Sequence, residues 1–290
     1  MRLPDAVDSL AQGRTHMADD TLADFERTEF TADGRTAPVY RIGTGPAVIV
    51  MSEMPGITPK VADFARTVAG IGCTAIVPHL FGVDGKDPLS APLGLLGTAA
   101  TMSRAMVPAC ISREFTILAT GKSSRIVVWL RALAAEEHQL CGGPGVGAIG
   151  MCFTGGFALA MAADDRLIAP VLSQPSLPFA ASTSRSRSID ISAGDLSKVK
   201  RRCAAGELTV LGMRFQGDKM CPPARFEFLR EQLGDAFVSV ELPDSAFNPE
   251  AFGPPHSVVT EGLIDEPGQP TRQALDQVLD LFRSKLLATP

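Results

Sequence analysis

Short apolar runs alternate with polar, helix-forming segments from residue 37 to the end of the chain. The runs are rich in Val and Ile, which is typical of strands buried on both faces of a parallel sheet. We predict seven strands, in APVYRI, PAVIVMS, CTAIVP, GVGAIG, APVLSQ, LTVLGM and FVSVEL. We predict helices in TPKVADFARTVAG, SSRIVVWLRALAAEEHQL, FALAMAADD, CPPARFEFLREQLG and TRQALDQVLDLFRSKLLA. This alternation predicts an α/β fold, with a mostly parallel central sheet and helices on both faces.

Three stretches depart from the alternation. Residues 1–36 are polar and irregular and predict a loosely docked N-terminal arm, which leaves residues 37–290 as a single domain. Insertions are predicted near residues 82–121 and 178–195, and each follows a predicted strand. Both are therefore expected at the carboxyl edge of the sheet, where open α/β sheets bind ligands. A surface loop without a role is an equal alternative for the second insertion.

Composition and charge narrow the class of protein. Hydrophobic residues make up 45% of the 290 residues and charged residues 20%, as in ordinary globular proteins. The net charge of -5 argues against a nucleic-acid surface. No apolar run reaches the roughly 18 residues of a membrane span, and the N-terminus lacks the apolar segment of a signal peptide. We therefore expect a cytoplasmic protein without a membrane or nucleic-acid partner; its oligomeric state is not predicted.

The cysteines indicate neither a disulfide framework nor a zinc site. Six cysteines are spread along the chain without a C-x-x-C pair. Two phosphate-binding motifs also fail in context. The G-x-G-x-x-G string at residues 145–150 forms a predicted strand instead of following one, and the GKS triplet at residues 121–123 lacks the first glycine of its loop. We predict no cofactor and no metal.

The segment GMCFTGG, residues 150–156, has the pattern of a nucleophile elbow. Such an elbow is a sharp strand-to-helix turn, flanked by small residues, that raises a nucleophile above the edge of the sheet. Cys152 is the candidate nucleophile, and the following N–H group, from Phe153, would face a developing oxyanion. Taken alone, Cys152 would more often be a small buried core residue.

A nucleophile requires a base and an orienting acid, and the remaining sequence offers both. His256 follows the last predicted strand, where this type of fold places its base; His79 could also line a cleft, but a loop role is more common at its position. Asp218 follows the preceding predicted strand. The order Cys152, Asp218, His256 is that of nucleophile, acid and base. Glu53, directly after the strand PAVIVMS, is expected to face the same cleft.

These motifs resemble those of the dienelactone hydrolase family of α/β-hydrolases, over residues 38 to 288. The resemblance rests on four ordered segments: E-x-x-G at residues 53–56, G-x-C-x-x-G at residues 150–155, Asp218 with Pro222, and the pair His256-Ser257. Two positions depart from the family pattern. Thr154 stands where a glycine is usual, and the substrate-binding arginine expected shortly after His256 is absent.

The resemblance implies a covalent mechanism. It implies a neutral thiol on Cys152, hydrogen-bonded near Glu53, whose carboxylate takes the thiol proton once substrate binds. The N–H groups of Met54 and Phe153 would bind the oxyanion, and His256, oriented by Asp218, would activate the water that releases the acyl group.

The substrate-binding residues are less well defined by the sequence. Four arginines in the two insertions could replace the missing one, although a solvated surface position is the more common outcome for each: Arg104, Arg113, Arg185 and Arg187.

We therefore predict a dienelactone hydrolase-like carboxylic ester hydrolase that acts on a small ester or lactone. Two alternatives remain at this point: a broad carboxylesterase or thioesterase with the same residues, and a binding protein that keeps the fold without turnover.

Overall fold

The computed structural model describes residues 18–88, 124–251 and 253–288. Eight strands form one sheet: β1 (Glu26–Ala32), β2 (Arg35–Gly43), β3 (Ala47–Met51), β4 (Thr74–Pro78), β5 (Val146–Met151), β6 (Leu167–Ser173), β7 (Val210–Phe215) and β8 (Phe237–Leu242). Their order across the sheet is β1-β2-β4-β3-β5-β6-β7-β8. Strands β3 to β8 are mutually parallel, whereas β2 is antiparallel to both β1 and β4. The carboxyl ends of β3 and β5 to β8 therefore meet at one edge.

Helices cover both faces of this sheet. The described α-helices are Pro59–Gly70, Arg125–Cys141, Gly155–Met161, Thr183–Ser186, Ala193–Ala204, Pro223–Leu233 and Pro270–Phe282. Helices Pro59–Gly70 and Pro270–Phe282 pack on one face, and the longer helices between β4 and β8 pack on the other.

The central strands are apolar on both faces, which is why their sequences lack alternation. In β3, Ile49 packs in the same core as Leu130 of helix Arg125–Cys141, while Val48 packs in the opposite core with Val278 of the C-terminal helix. All of these side chains are fully buried. Successive residues of a strand point to opposite faces, so a strand with a helix layer on each side needs an unbroken apolar run.

The structure corrects the prediction for the N-terminal arm. Residues 26–32 are not irregular: they form β1, which pairs with β2 over its whole length. Asp33 and Gly34 connect the two strands, and their positive φ angles of 47° and 75° are those of a tight hairpin turn. Arg66 of helix Pro59–Gly70 also binds Asp20 and Asp24, which fixes the segment before β1. Residues 1–17 lie outside the described residues.

The predicted fold class is confirmed. All seven predicted strands are present, as β2 to β8, and the class is α/β with a mostly parallel sheet. The predicted insertion near residues 82–121 lies largely outside the described residues, whereas residues 178–195 contain the one-turn helix Thr183–Ser186. Within the described ranges, no helix is both long enough and apolar enough to cross a bilayer.

Candidate active site

Cys152 lies at the turn that joins β5 to helix Gly155–Met161. Its φ angle of 52° is in the left-handed region, which costs a non-glycine residue about 1 kcal/mol. The glycines around it allow a close crossing of the chain. A Cβ on Gly150 would lie 2.1 Å from the Thr154 carbonyl oxygen, and one on Gly155 would lie 2.5 Å from the Cα of Pro175. The geometry is that of a nucleophile elbow with a half-buried thiol.

Thr154, the residue that departs from the family pattern, ties this elbow to the neighbouring strand. Its side chain is fully buried. The hydroxyl oxygen accepts the N–H of Met151 at 2.9 Å, and its proton faces the carbonyl oxygens of Met51 and Met151, both at 3.0 Å. The hydroxyl therefore links the carboxyl ends of β3 and β5, which lie next to Glu53 and Cys152 in the chain.

We expect Thr154→Val to lower the free energy of unfolding by about 1–3 kcal/mol, because the buried N–H of Met151 loses its acceptor. Thr154→Ser keeps the hydroxyl and serves as the matched control, with a loss of about 1 kcal/mol for the missing methyl group. Urea unfolding at neutral pH measures both changes. A valine variant as stable as the wild type would show that the hydroxyl does not stabilise the elbow.

His256 and Asp218 form a buried pair. His256 Nδ1 lies 2.7 Å from Asp218 Oδ2, while Asp218 Oδ1 accepts the N–H groups of Met220 and Cys221 at 2.9 and 3.2 Å. The carboxylate is thus fixed by the backbone of the turn after β7. Burial lowers the pKa of His256, but the charges of Cys152 and Asp218, with the Asp218 hydrogen bond, outweigh it and hold the pKa well above its usual value.

The other ring nitrogen, His256 Nε2, is buried and forms no hydrogen bond of standard geometry with the described residues. The thiol of Cys152 nonetheless interacts with the ring and helps to raise its pKa.

Glu53 follows β3 and is nearly fully buried. Its Oε2 accepts the Ser257 hydroxyl at 2.6 Å and the Gln174 side-chain amide at 3.1 Å, and its Oε1 accepts the Thr260 hydroxyl. Gln174 in turn accepts the backbone N–H of Val258. Glu53 therefore accepts hydrogen bonds from Ser257 and Thr260, which lie at the two ends of the segment directly after His256.

The thiol of Cys152 does not have the partner implied by the family resemblance. Its hydrogen-bond partner among the described residues is the hydroxyl of Ser176, with Sγ and Oγ 3.5 Å apart, and no hydrogen bond joins it to Glu53. The expected hydrogen bond between the thiol and Glu53 is therefore wrong for this structure. The physical reason is that three other side chains already donate to that carboxylate.

Glu53, Cys152, Ser176 and His256 line one cavity of about 250 Å³. Its polar lining includes Glu53, Cys152, His256 and Glu261, and Met54 and Phe153 also border it. Apolar side chains make up most of the remaining wall: Pro55, Pro88, Phe179, Met220, Phe247 and Pro254. In the described part of the chain, no group of three or more His, Cys, Asp or Glu side chains could hold a metal ion.

The model of the dienelactone hydrolase family matches residues 36–199, more than half of the chain. The chain belongs to this family. It is accordingly a dienelactone hydrolase-like carboxylic ester hydrolase with an α/β-hydrolase fold, as the sequence predicted.

Solved structures share the fold at low sequence identity. A dienelactone hydrolase from Anabaena variabilis ATCC 29413 is 15% identical, with a TM-score of 0.55 and coverage of 91% of this chain and 99% of the other. A dienelactone hydrolase-like promiscuous phosphotriesterase from metagenomic libraries is 16% identical, with a TM-score of 0.56 and coverage of 90% and 98%. No curated protein matches the chain.

The predicted substrate-binding arginines do not meet the cavity within the described residues. Arg187 pairs with Glu227 and Glu231 on the surface, and neither Arg187 nor Arg185 lines the cavity. We correct the prediction for these two: Phe179 of the same insertion lines the cavity, but the two arginines do not. Arg104 and Arg113 lie outside the described residues.

The sequence analysis did not identify several residues that form this site. Gln174 and Ser176 follow β6, and Thr260 and Glu261 follow His256 in the chain. Gln174 and Ser176 carried a usable indication, because a polar residue just after a buried parallel strand lies at the ligand-binding edge. The other contacts depend on which loops meet above β3 and β5.

Proposed function

We propose that the protein hydrolyses a small carboxylic ester or lactone through an acyl group carried on Cys152 Sγ. One observation carries the proposal: a thiol on a left-handed elbow shares a cavity with a histidine that is paired to a buried aspartate. Side chains in this arrangement are suited to nucleophilic acyl transfer.

In the acylation step, His256 Nε2 takes the proton of the Cys152 thiol. The resulting thiolate attacks the carbonyl carbon, and the carbonyl oxygen becomes an oxyanion. The tetrahedral species collapses with cleavage of the carbon–oxygen bond, and the proton on His256 passes to the departing alkoxide. The raised pKa of His256 and its interaction with the Cys152 thiol support this role, because such a base readily accepts the proton.

We assign the oxyanion to the backbone N–H groups of Met54 and Phe153. Both residues border the cavity on either side of Cys152, at the ends of the neighbouring strands β3 and β5. Backbone donors fixed in this way need little reorganisation when charge develops in the transition state.

In the deacylation step, water attacks the thioester while His256 takes one of its protons. The carbon–sulfur bond then breaks, the thiolate regains a proton from His256, and the carboxylic acid product leaves. Asp218 keeps the histidine ring in the orientation and tautomer that both steps require.

Glu53 is assigned a positioning role. Its hydrogen bonds from Ser257 and Thr260 support this, because they hold the segment directly after the catalytic histidine. The glutamate thus takes part through the placement of His256.

Acyl-enzyme trapping tests the proposal. We expect p-nitrophenyl acetate to release nitrophenolate and, after acid quenching, to leave an acetyl group on the tryptic peptide that spans residues 132–166. This peptide contains Cys141 as well as Cys152, so fragment ions locate the modification. Cys141 is the internal control, since burial raises the pKa of its thiol and makes it a poor nucleophile.

Two results would contradict the mechanism. One is nitrophenolate release without any acyl group on Cys152. The other is turnover that survives complete alkylation of Cys152 by iodoacetamide. A panel of lactones and acyclic esters, compared by kcat/KM, then decides which of the two substrate classes is preferred.

A further inference from the structure

Glu261 is a second carboxyl group on the wall of the catalytic cavity, five residues after His256. No residue in the described ranges forms a hydrogen bond with its side chain. Glu53, by contrast, accepts three hydrogen bonds from side chains. Glu261 is therefore the carboxyl group that is available to a bound molecule.

The surroundings of Glu261 are predominantly negative. Burial and the charges of Glu53 and Asp87, opposed by Lys60, together raise its pKa to about 7. Lys60 does not line the cavity: it belongs to a separate small cleft beside helix Pro59–Gly70. Among the described residues, Lys60 is thus the one cation that lowers the pKa of Glu261, and it lies outside the cavity lining.

The described lining contains no lysine or arginine. His256 is the titratable base that faces the cavity, and it is paired to Asp218. At the place where the family resemblance suggested an arginine, Thr260 donates its hydroxyl to Glu53. Among the described lining residues, a carboxylate on a substrate would find two glutamates and neither a lysine nor an arginine, and the burial of an unpaired charge is costly.

We propose that Glu261 selects the charge of the substrate, so that the cavity accepts small esters or lactones bearing an ammonium group and rejects those bearing a carboxylate. This inference rests on the proposed ester hydrolysis and names its substrate class. The apolar wall, with Phe179 and Met220 at its exposed rim, holds the hydrocarbon part of the substrate. Glu261 provides the one side-chain charge in the described lining that is free to pair with a cation.

A series of three p-nitrophenyl esters tests the inference. Their acyl chains have equal length and end in a trimethylammonium group, a methyl group or a carboxylate. We expect kcat/KM to fall in that order, by about tenfold or more between the first and the last. Glu261→Gln is expected to reduce the ammonium-to-carboxylate ratio by about tenfold. Glu266→Gln removes an exposed carboxylate from the same loop and should leave the ratio at its wild-type value.

The ratio should also depend on pH. An acid with a pKa near 7 is mostly neutral at pH 6 and mostly ionised at pH 8, so the ratio should rise between these values. Titration of His256 alters the chemistry of all three esters alike and cancels in the ratio. In Glu261→Gln the rise should disappear, while Glu53, Asp87, Lys60 and His256 remain.

Binding of unreactive ligands separates this inference from the proposed function. Alkyltrimethylammonium and alkylcarboxylate ions of equal length can be compared by calorimetry, whether or not any ester is hydrolysed. At least threefold tighter binding of the ammonium ion, lost in Glu261→Gln, supports the inference. Any other result at this step, including no measurable binding, overturns it, whereas failure of ester turnover alone contradicts only the proposed function.

Discussion

Replacement of Cys152 by alanine is expected to lower kcat/KM for a chromogenic ester by at least a thousandfold. The variant loses the only thiol on the described cavity wall. Without a nucleophile, the histidine and the oxyanion donors retain only a small part of the rate acceleration, as is general for covalent hydrolases. Initial rates with p-nitrophenyl acetate measure the loss.

The matched control is Cys203→Ala. Cys203 is a half-buried cysteine on helix Ala193–Ala204, outside the cavity lining, so this variant should keep wild-type kcat/KM. Thermal midpoints of both variants verify that the fold persists. A Cys152→Ala variant that retains a tenth or more of the activity would rule out the cysteine mechanism, and the oriented histidine would then have to activate water directly.

The sequence predicted the central sheet well because its strands are buried on both faces. An unbroken apolar run is the direct consequence of two helix layers, and the interior positions of β3 to β6 show it. Strand β1 was not predicted from the sequence, for the opposite reason. Phe30 is its one buried residue, and the remaining positions, all polar except Ala32, are partly or fully exposed, as expected at a sheet edge. The Asp33-Gly34 pair was the available indication of a hairpin.

The four polar residues proposed for the site were found from chain order, which the fold translates into position. Glu53, Cys152, Asp218 and His256 each follow a strand, and parallel strands bring their carboxyl ends to one edge. Order along the chain cannot supply the contacts between loops. The hydrogen bonds of Glu53 with Gln174, Ser257 and Thr260 depend on the distance between the loops after β6 and β8.

Thr154 shows how a local departure from a family pattern is compensated in three dimensions. The sequence indicated only a β-branched residue in a crowded turn. In the fold, its hydroxyl replaces backbone contacts and links the two strands that carry Glu53 and Cys152. The elbow therefore keeps its left-handed geometry with a larger side chain.

The second large effect is expected from Asp218→Asn, which should lower kcat by about a thousandfold to ten-thousandfold. The amide oxygen of the new side chain can still accept the N–H groups of Met220 and Cys221. Its NH₂ group must then face His256 Nδ1, so that this nitrogen becomes an acceptor and the proton moves to Nε2. A histidine in that tautomer cannot take a proton from the thiol or from water.

Steady-state kinetics with p-nitrophenyl acetate, combined with the rate of Cys152 alkylation by iodoacetamide, checks this prediction. Both rates should fall while the thermal midpoint stays close to that of the wild type, because the turn after β7 keeps its backbone hydrogen bonds. Asp235→Asn, at an exposed position before β8, is the charge-matched control and should be unaffected. If kcat of the Asp218→Asn variant remained within about tenfold of wild type, the buried pair would stabilise the loops without setting the tautomer of the base.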